Sequence, residues 1–123
     1  MTNVEAIKAN AAMVKQVFAE ENLQFDHASI EWIDGYIDRN RLTWDDETKK
    51  SLSNTLGSFL GECIVANFGG HWEMTEYGMG VMFDDGNGAF PFNKINKQIE
   101  NAQEDSIANF YSSLAAMRSI DAC

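Results

Sequence analysis

The feature that most constrains the fold of this chain is a long apolar stripe that runs into a pair of glycines. Six apolar residues recur with helical spacing: Leu52, Leu56, Phe59, Leu60, Cys63 and Ile64. Their offsets follow one face of a helix and do not fit the alternation of a strand. Thr43 lies at a plausible N-cap position before the stripe, and Gly69 and Gly70 provide a stop after it. The stretch predicts one amphipathic helix at the centre of the fold.

Two glycines lie inside this predicted helix, one turn apart, at Gly57 and Gly61. A glycine in a helix interior costs about 1 kcal/mol relative to alanine. The pair therefore predicts a flat surface that another group approaches closely. That surface either packs against a helix or sheet of the same domain, or stays open as a groove for a partner.

Beyond Gly70 the periodicity changes from helical to alternating. Three short strands are predicted, at residues 71–74, 79–83 and 89–90. The segment 84–88 contains both Asp-Gly and Asn-Gly, which favour a tight hairpin turn. Trp72 and Met74 are expected on one face of the first strand. The pattern predicts a three-stranded antiparallel meander, and so small a sheet needs a helix over one face.

Helical periodicity also precedes this central region. A narrow apolar seam predicts a first helix, and its members are Val4, Ile7, Ala11, Val14 and Phe18. The seam either packs inside its own domain or serves a dimer, and the oligomeric state is left open. A second helix is predicted to begin after Asp26, a good N-cap, and to end near residue 40.

Two further helices are predicted after the strands. Asn93 is expected to cap the first of them, and Asn101 is expected to end it in a left-handed conformation. The last helix is predicted to start near residues 105–106. The predicted fold class is α+β: three N-terminal helices, a small three-stranded antiparallel meander and two C-terminal helices, packed as one domain over residues 1–123.

The cysteines and the hydropathy of the chain indicate in which cellular compartment it is expected. Cys63 falls on the apolar stripe and Cys123 is the last residue, so no disulfide framework is indicated and a reducing compartment is expected. No apolar run approaches the roughly 18 residues of a membrane span, and the N-terminus lacks a signal-peptide pattern. A cytoplasmic protein with no membrane partner is predicted.

The charge balance is strongly acidic. The chain carries 19 acidic and 9 basic residues, for a net charge of −10. This argues against direct binding of nucleic acid, because lysine and arginine must neutralise phosphates there. Between Ser51 and Asn93 there is no lysine or arginine at all. This region is expected to carry a negative field, which either attracts a basic partner or only aids solubility.

The central region also concentrates aromatic side chains, and exposed aromatics ringed by acids are typical of interface anchors. We therefore predict a non-enzymatic, acidic protein-binding domain whose partner is a basic protein. The candidate partner-binding residues are Trp72, Glu73, Glu76, Tyr77, Met82, Asp84 and Asp85. The four carboxylates of this set are expected to cluster on one exposed face beside an aromatic residue.

Catalytic and metal-binding patterns are weak. Cys63 and His71 could in principle pair as nucleophile and base, but Cys63 belongs to the apolar stripe. His71 with Glu73, Glu76 and Asp84 is a candidate metal set, but one histidine among scattered carboxylates is common by chance. No catalytic residue, metal or cofactor is predicted.

Four segments resemble a recurring pattern: residues 56–64 (LGSFLGECI), 69–72 (GGHW), 90–94 (FPFNK) and 101–107 (NAQEDSI). The pattern is similar to that of a family of small bacterial domains of unknown function. In that family a GxxLGE helix precedes GGxW, a strand pair, PFxK and an acidic segment ending in EDSI. This chain departs from it at Ala102 and Gln103, where a glycine and an acid are usual, and a loop of different shape is expected there. The resemblance implies no catalytic residues, and it implies an accessory role in bacterial conflict systems, such as toxin immunity.

Two alternative functions stay open. An anti-defence protein that imitates nucleic acid would need carboxylates spaced like phosphates over both halves of the chain. The first half dilutes such mimicry with six cations: Lys8, Lys15, Arg39, Arg41, Lys49 and Lys50. The other alternative is a small enzyme that uses Cys63 or a metal at His71.

Overall fold

The computed structural model describes residues 3–122, with side chains through residue 118. The helices are α1 (Asn3–Val17), α2 (His27–Asn40), α3 (Asp46–Phe68), α4 (Pro91–Asn101) and α5 (Ile107–Ala122). The strands are β1 (His71–Thr75), β2 (Gly78–Met82) and β3 (Gly88–Ala89), and they form one antiparallel sheet in the order β1-β2-β3. The predicted α+β class is confirmed, and the elements follow the predicted order.

Helix α3 is the centre of the fold, with α1 and α4 packed against it. All but the first residue of the predicted stripe are completely buried: Leu56, Phe59, Leu60, Cys63 and Ile64. The predicted cap at Thr43 is wrong, because residues 41–43 form a 3₁₀ turn. Asp45 caps the helix instead, from an extended backbone, and its carboxylate accepts the Thr48 N–H at 2.8 Å. Gly69 ends the helix at φ 83°, as its position predicted.

The N-terminal helices begin and pack close to their predicted positions. Asp26 caps α2 by accepting the Ser29 N–H at 2.8 Å. On α1, the seam residues Ile7, Ala11 and Val14 are buried. The middle of the seam therefore packs inside its own fold, while Val4 and Phe18 at its two ends are half-buried.

The sheet packs one face on α3. Its other face is exposed at His71 and Glu73, whereas the Phe90 ring covers it at Gly80. Trp72 lies opposite Val81 and Met74 opposite Met79, so these four side chains share the face toward the helices. Val81 is fully buried. The strands begin and end within a residue or two of their predicted bounds, because alternation and turn residues are local signals.

The caps predicted for α4 are wrong at both ends. Pro91 is the first residue of the helix, where its fixed φ is favourable, so the helix starts two residues before Asn93. At the other end, Ala102 adopts the positive φ of 55°, while Asn101 stays at φ −118°. The helix buries Ile95 and Ile99 in the core.

A buried carboxylate joins α2 to the start of α5. Asp34 accepts hydrogen bonds from Ser106 Oγ, from Gln103 Nε2 at 2.7 Å and from the Ala108 N–H at 3.0 Å. The fully buried Gln98 donates to the Asp34 carbonyl at 3.0 Å and accepts the Ile107 N–H at 2.8 Å. These hydrogen bonds satisfy the buried polar groups where the start of α5 packs against α2 and α4.

Candidate protein-binding surface

Trp72 packs between the sheet and α3, so it is not the exposed interface anchor that the sequence predicted. Its indole ring lies against Gly61, where a side-chain carbon would overlap the ring. Its Nε1 donates to Glu62 Oε2 at 3.0 Å, and Lys8 Nζ lies 3.3 Å from the other oxygen of that carboxylate. Glu62 is only 8% exposed, so its charge is held by these two donors.

Phe92 fills the other half of the glycine surface. Its ring atom Cδ1 lies 2.5 Å from where a Cβ of Gly57 would stand, and its ring centroid is 5.7 Å from that of Trp72. Of the two predictions for the glycine pair, packing within the fold is confirmed. The two glycines admit the two aromatic rings side by side.

The β1–β2 hairpin carries a cluster of exposed side chains. Met74 is 61% exposed and Tyr77 is 79% exposed, and Glu73 and Glu76 are exposed beside them. The Tyr77 ring meets the Phe90 ring edge-on, with centroids 6.4 Å apart. We call Glu73, Met74, Glu76 and Tyr77 the hairpin surface. It joins two large apolar side chains to two carboxylates, and it extends around the edge of the sheet because Met74 and Glu73 lie on opposite faces of β1.

The remaining predicted residues lie at the opposite end of the hairpin. Register pairs Met82 with His71, so the turn that holds Asp84 and Asp85 is separated from Glu76 by the length of a five-residue strand. That length is roughly 16 Å at about 3.3 Å per residue. The four carboxylates therefore form two groups, and the single cluster expected from the sequence is not present.

Asp85 already has an internal partner. Its carboxylate accepts two hydrogen bonds from Arg118 of α5, at 2.9 and 3.4 Å. The Asn87 backbone N–H, and after it Arg118, holds the pKa of Asp85 below its ordinary value. The Arg118 guanidinium also lies 3.8 Å from the centroid of the buried Phe83 ring. Asp85 thus helps to fasten α5 to the sheet.

Cys63 and His71, the candidate nucleophile and base, lie in different environments. Cys63 is completely buried, and burial raises the pKa of its thiol well above the ordinary value, so little thiolate forms at neutral pH. His71 is exposed and its Nε2 lies 3.1 Å from Glu73 Oε1. Among residues 3–122, no three histidine, cysteine or acidic side chains come together as a metal would need.

A depression next to Met74 was not foreseen from the sequence. It has a volume of about 400 Å³, and its lining includes Ile7 of α1, Met79 of β2 and Phe92 of α4 together with Met74. Ala6 and the amides of α1 and α3 complete the lining. We call it the Met74 depression. The one sequence feature that could have indicated this depression is Met74. It is apolar and shares the strand face of Trp72, but no glycine makes room for its side chain as Gly61 does for Trp72.

No family model, curated protein sequence or solved structure matches this chain. The residues that carry the resemblance described above have contacts that hold the fold together: Gly61 and Glu62 receive Trp72, and Gly57 receives Phe92. Within the described part of the chain, none of the helices is both long and apolar enough to cross a membrane.

Proposed function

We propose that this chain is a non-enzymatic, acidic protein-binding domain of the immunity-protein or inhibitor type, and that it binds a basic protein through the hairpin surface. The observation that carries the proposal is the hairpin surface itself. It presents Met74 and Tyr77 to solvent beside two carboxylates, in a stretch of chain that has no lysine or arginine between Ser51 and Asn93.

The apolar members of this surface supply the contact. Tyrosine and methionine are enriched in the buried centres of protein interfaces, where they combine a large apolar area with few polar atoms. Tyr77 is the most exposed aromatic side chain among the large hydrophobic residues of the described chain. Its covering by a partner removes apolar area that folding leaves in water.

The carboxylates supply speed and selectivity. Glu73 and Glu76 lie on the hairpin with only His71 as a potentially cationic neighbour in the strand. Complementary charge raises association rates and disfavours acidic partners through repulsion. A basic effector neutralised by this domain fits both effects, and it agrees with the toxin-immunity role that the resemblance implies.

The test is a capture experiment with matched charge variants. Wild-type protein, Glu73→Lys/Glu76→Lys and Glu20→Lys/Glu21→Lys are immobilised and exposed to native cell lysate at low and high salt. Both variants change the net charge by the same +4, from −10 to −6, and all four glutamates are exposed.

The proposal expects one basic protein that wild type and the Glu20/Glu21 control retain at low salt and release at high salt. The Glu73/Glu76 variant loses it. Equal retention by both variants would contradict the proposal. Release of the captured protein by competing duplex DNA, with no loss in the Glu73/Glu76 variant, would favour the nucleic-acid mimic instead.

A further inference from the structure

We infer that β1 receives a fourth strand: an extended segment of the basic partner in which basic and apolar side chains alternate. The inference rests on the proposed function, because it specifies how the partner is held on the hairpin surface. Three features of β1 carry it, namely its open edge, the alternation of its side chains and the depression beside it.

The first feature is the edge. Within residues 3–122, β1 pairs with β2 alone, and its five residues pair in unbroken register from His71 with Met82 to Thr75 with Gly78. In an antiparallel pair every second residue directs its N–H and C=O away from the partner strand. Sheet edges are usually blunted by proline, by charged side chains (above all lysine) or by a bulge. β1 has no proline, lysine or bulge, and its one carboxylate, Glu73, favours a basic occupant.

The second feature is the chemistry of the two faces. Trp72 and Met74 point toward the helices, whereas His71 and Glu73 point to the other face. Side chains of an added strand lie beside side chains of the same face. An apolar side chain of the partner therefore lies beside Met74, and a basic one lies beside Glu73. This alternation defines the occupant.

The third feature is the Met74 depression, which lies on the face where the apolar side chain of the added strand would point. Ile7, Met79 and Phe92 form its apolar lining, and its volume of about 400 Å³ accommodates a side chain. Asn10 and Asn54 also line it, and neither side chain hydrogen-bonds to another residue of the described chain. Their amides are available to polar groups of the incoming strand.

The experiment uses ¹⁵N-labelled full-length protein and a synthetic peptide that alternates lysine with valine. Two derivatives carry N-methyl groups, one on every lysine and the other on every valine. A strand pairs through one edge only, and alternate residues direct their N–H groups to opposite edges. We expect one methylated peptide to bind like the parent and the other to lose at least tenfold in affinity. Amide exchange along β1 should slow when the parent peptide binds.

Matched methionine variants locate the site. Met74 and Met117 are equally exposed, at 61% and 60%, but Met117 lies on α5. Met74→Lys should weaken binding of the parent peptide at least tenfold, and Met117→Lys should leave it within twofold. The variants change the net charge equally, so charge alone does not produce this difference.

Equal binding by both methylated peptides, or no binding of the parent peptide, would overturn the inference. So would slowed exchange confined to residues outside β1. These results leave the proposed function intact if the captured partner is still lost from the Glu73→Lys/Glu76→Lys variant. If that variant retains the partner, the proposed function fails by its own test.

Discussion

Replacing Gly61 by alanine should destabilise the protein although it removes a glycine from a helix. Alanine gains about 0.8–1.0 kcal/mol over glycine in a helix interior. At this position, however, the new Cβ overlaps Cζ2 and Cη2 of Trp72, and Pro91 Cγ lies 3.2 Å away. Overpacking of this kind costs about 1–3 kcal/mol. A shift of the ring also weakens the bond to the Glu62 carboxylate, worth about 1.5–3 kcal/mol.

The net loss is therefore about 1.5–5 kcal/mol in the free energy of unfolding, measured by urea denaturation with far-UV circular dichroism. Gly35→Ala on α2 is the matched control. A Cβ there approaches only the end of the flexible Arg39 side chain, at 2.8 Å from Nη1. This control should be neutral or gain up to about 1 kcal/mol.

A double-mutant cycle identifies the cause. In a Trp72→Leu background the ring is absent, so Gly61→Ala should lose most of its cost. The reasoning is refuted if Gly61→Ala is as stable as wild type, or if its cost is the same with and without the Trp72 ring.

Three further predictions concern ionisable groups. The hydrogen bond from the Thr48 N–H lowers the pKa of Asp45. The carboxylate therefore stabilises the fold above its unfolded pKa, and this stabilisation is lost as the pH falls. Between about pH 5 and about pH 3 the urea midpoint of Asp45→Asn should fall less than that of wild type. Burial raises the pKa of Tyr111 to about 12. The neutral phenol therefore stabilises the fold below about pH 10, and this stabilisation is lost as the pH rises. An ultraviolet titration of Tyr111→Phe should lack the last tyrosine ionisation step seen in wild type. In a Cys123→Ser background, Cys63 should react with a thiol reagent only in urea, and rapid labelling of the native protein would contradict its burial.

Local signals explain how much of the fold was predictable. The stripe on α3 and the Asp-Gly and Asn-Gly turn depend on residues that are close in sequence, and both predictions are confirmed. The helix caps were less predictable because neighbouring residues compete for the capping position. Asp45 caps α3 in place of Thr43, since a 3₁₀ turn occupies residues 41–43. Helix α4 begins at Pro91 and not after a cap at Asn93.

Long-range contacts explain what was missed at the surface. Trp72 was a candidate anchor because aromatic residues among acids are typical of interfaces, but Gly61 and Glu62 of another element receive it. No local pattern encodes that contact. Three members of the hairpin surface, Glu73, Glu76 and Tyr77, were named from the sequence. Met74 was missed because its exposure depends on how the first turns of α1 and α4 pack beside it.

The measurement that tests the hairpin surface most directly is the association rate of the captured partner at several ionic strengths. The wild-type rate constant should fall steeply with salt, because the Debye length shrinks from about 30 Å at 0.01 M to about 8 Å at 0.15 M. Glu73→Lys/Glu76→Lys should associate at least about tenfold more slowly at low salt and converge with wild type at high salt. A variant that matches the wild-type rate at low salt would contradict the account.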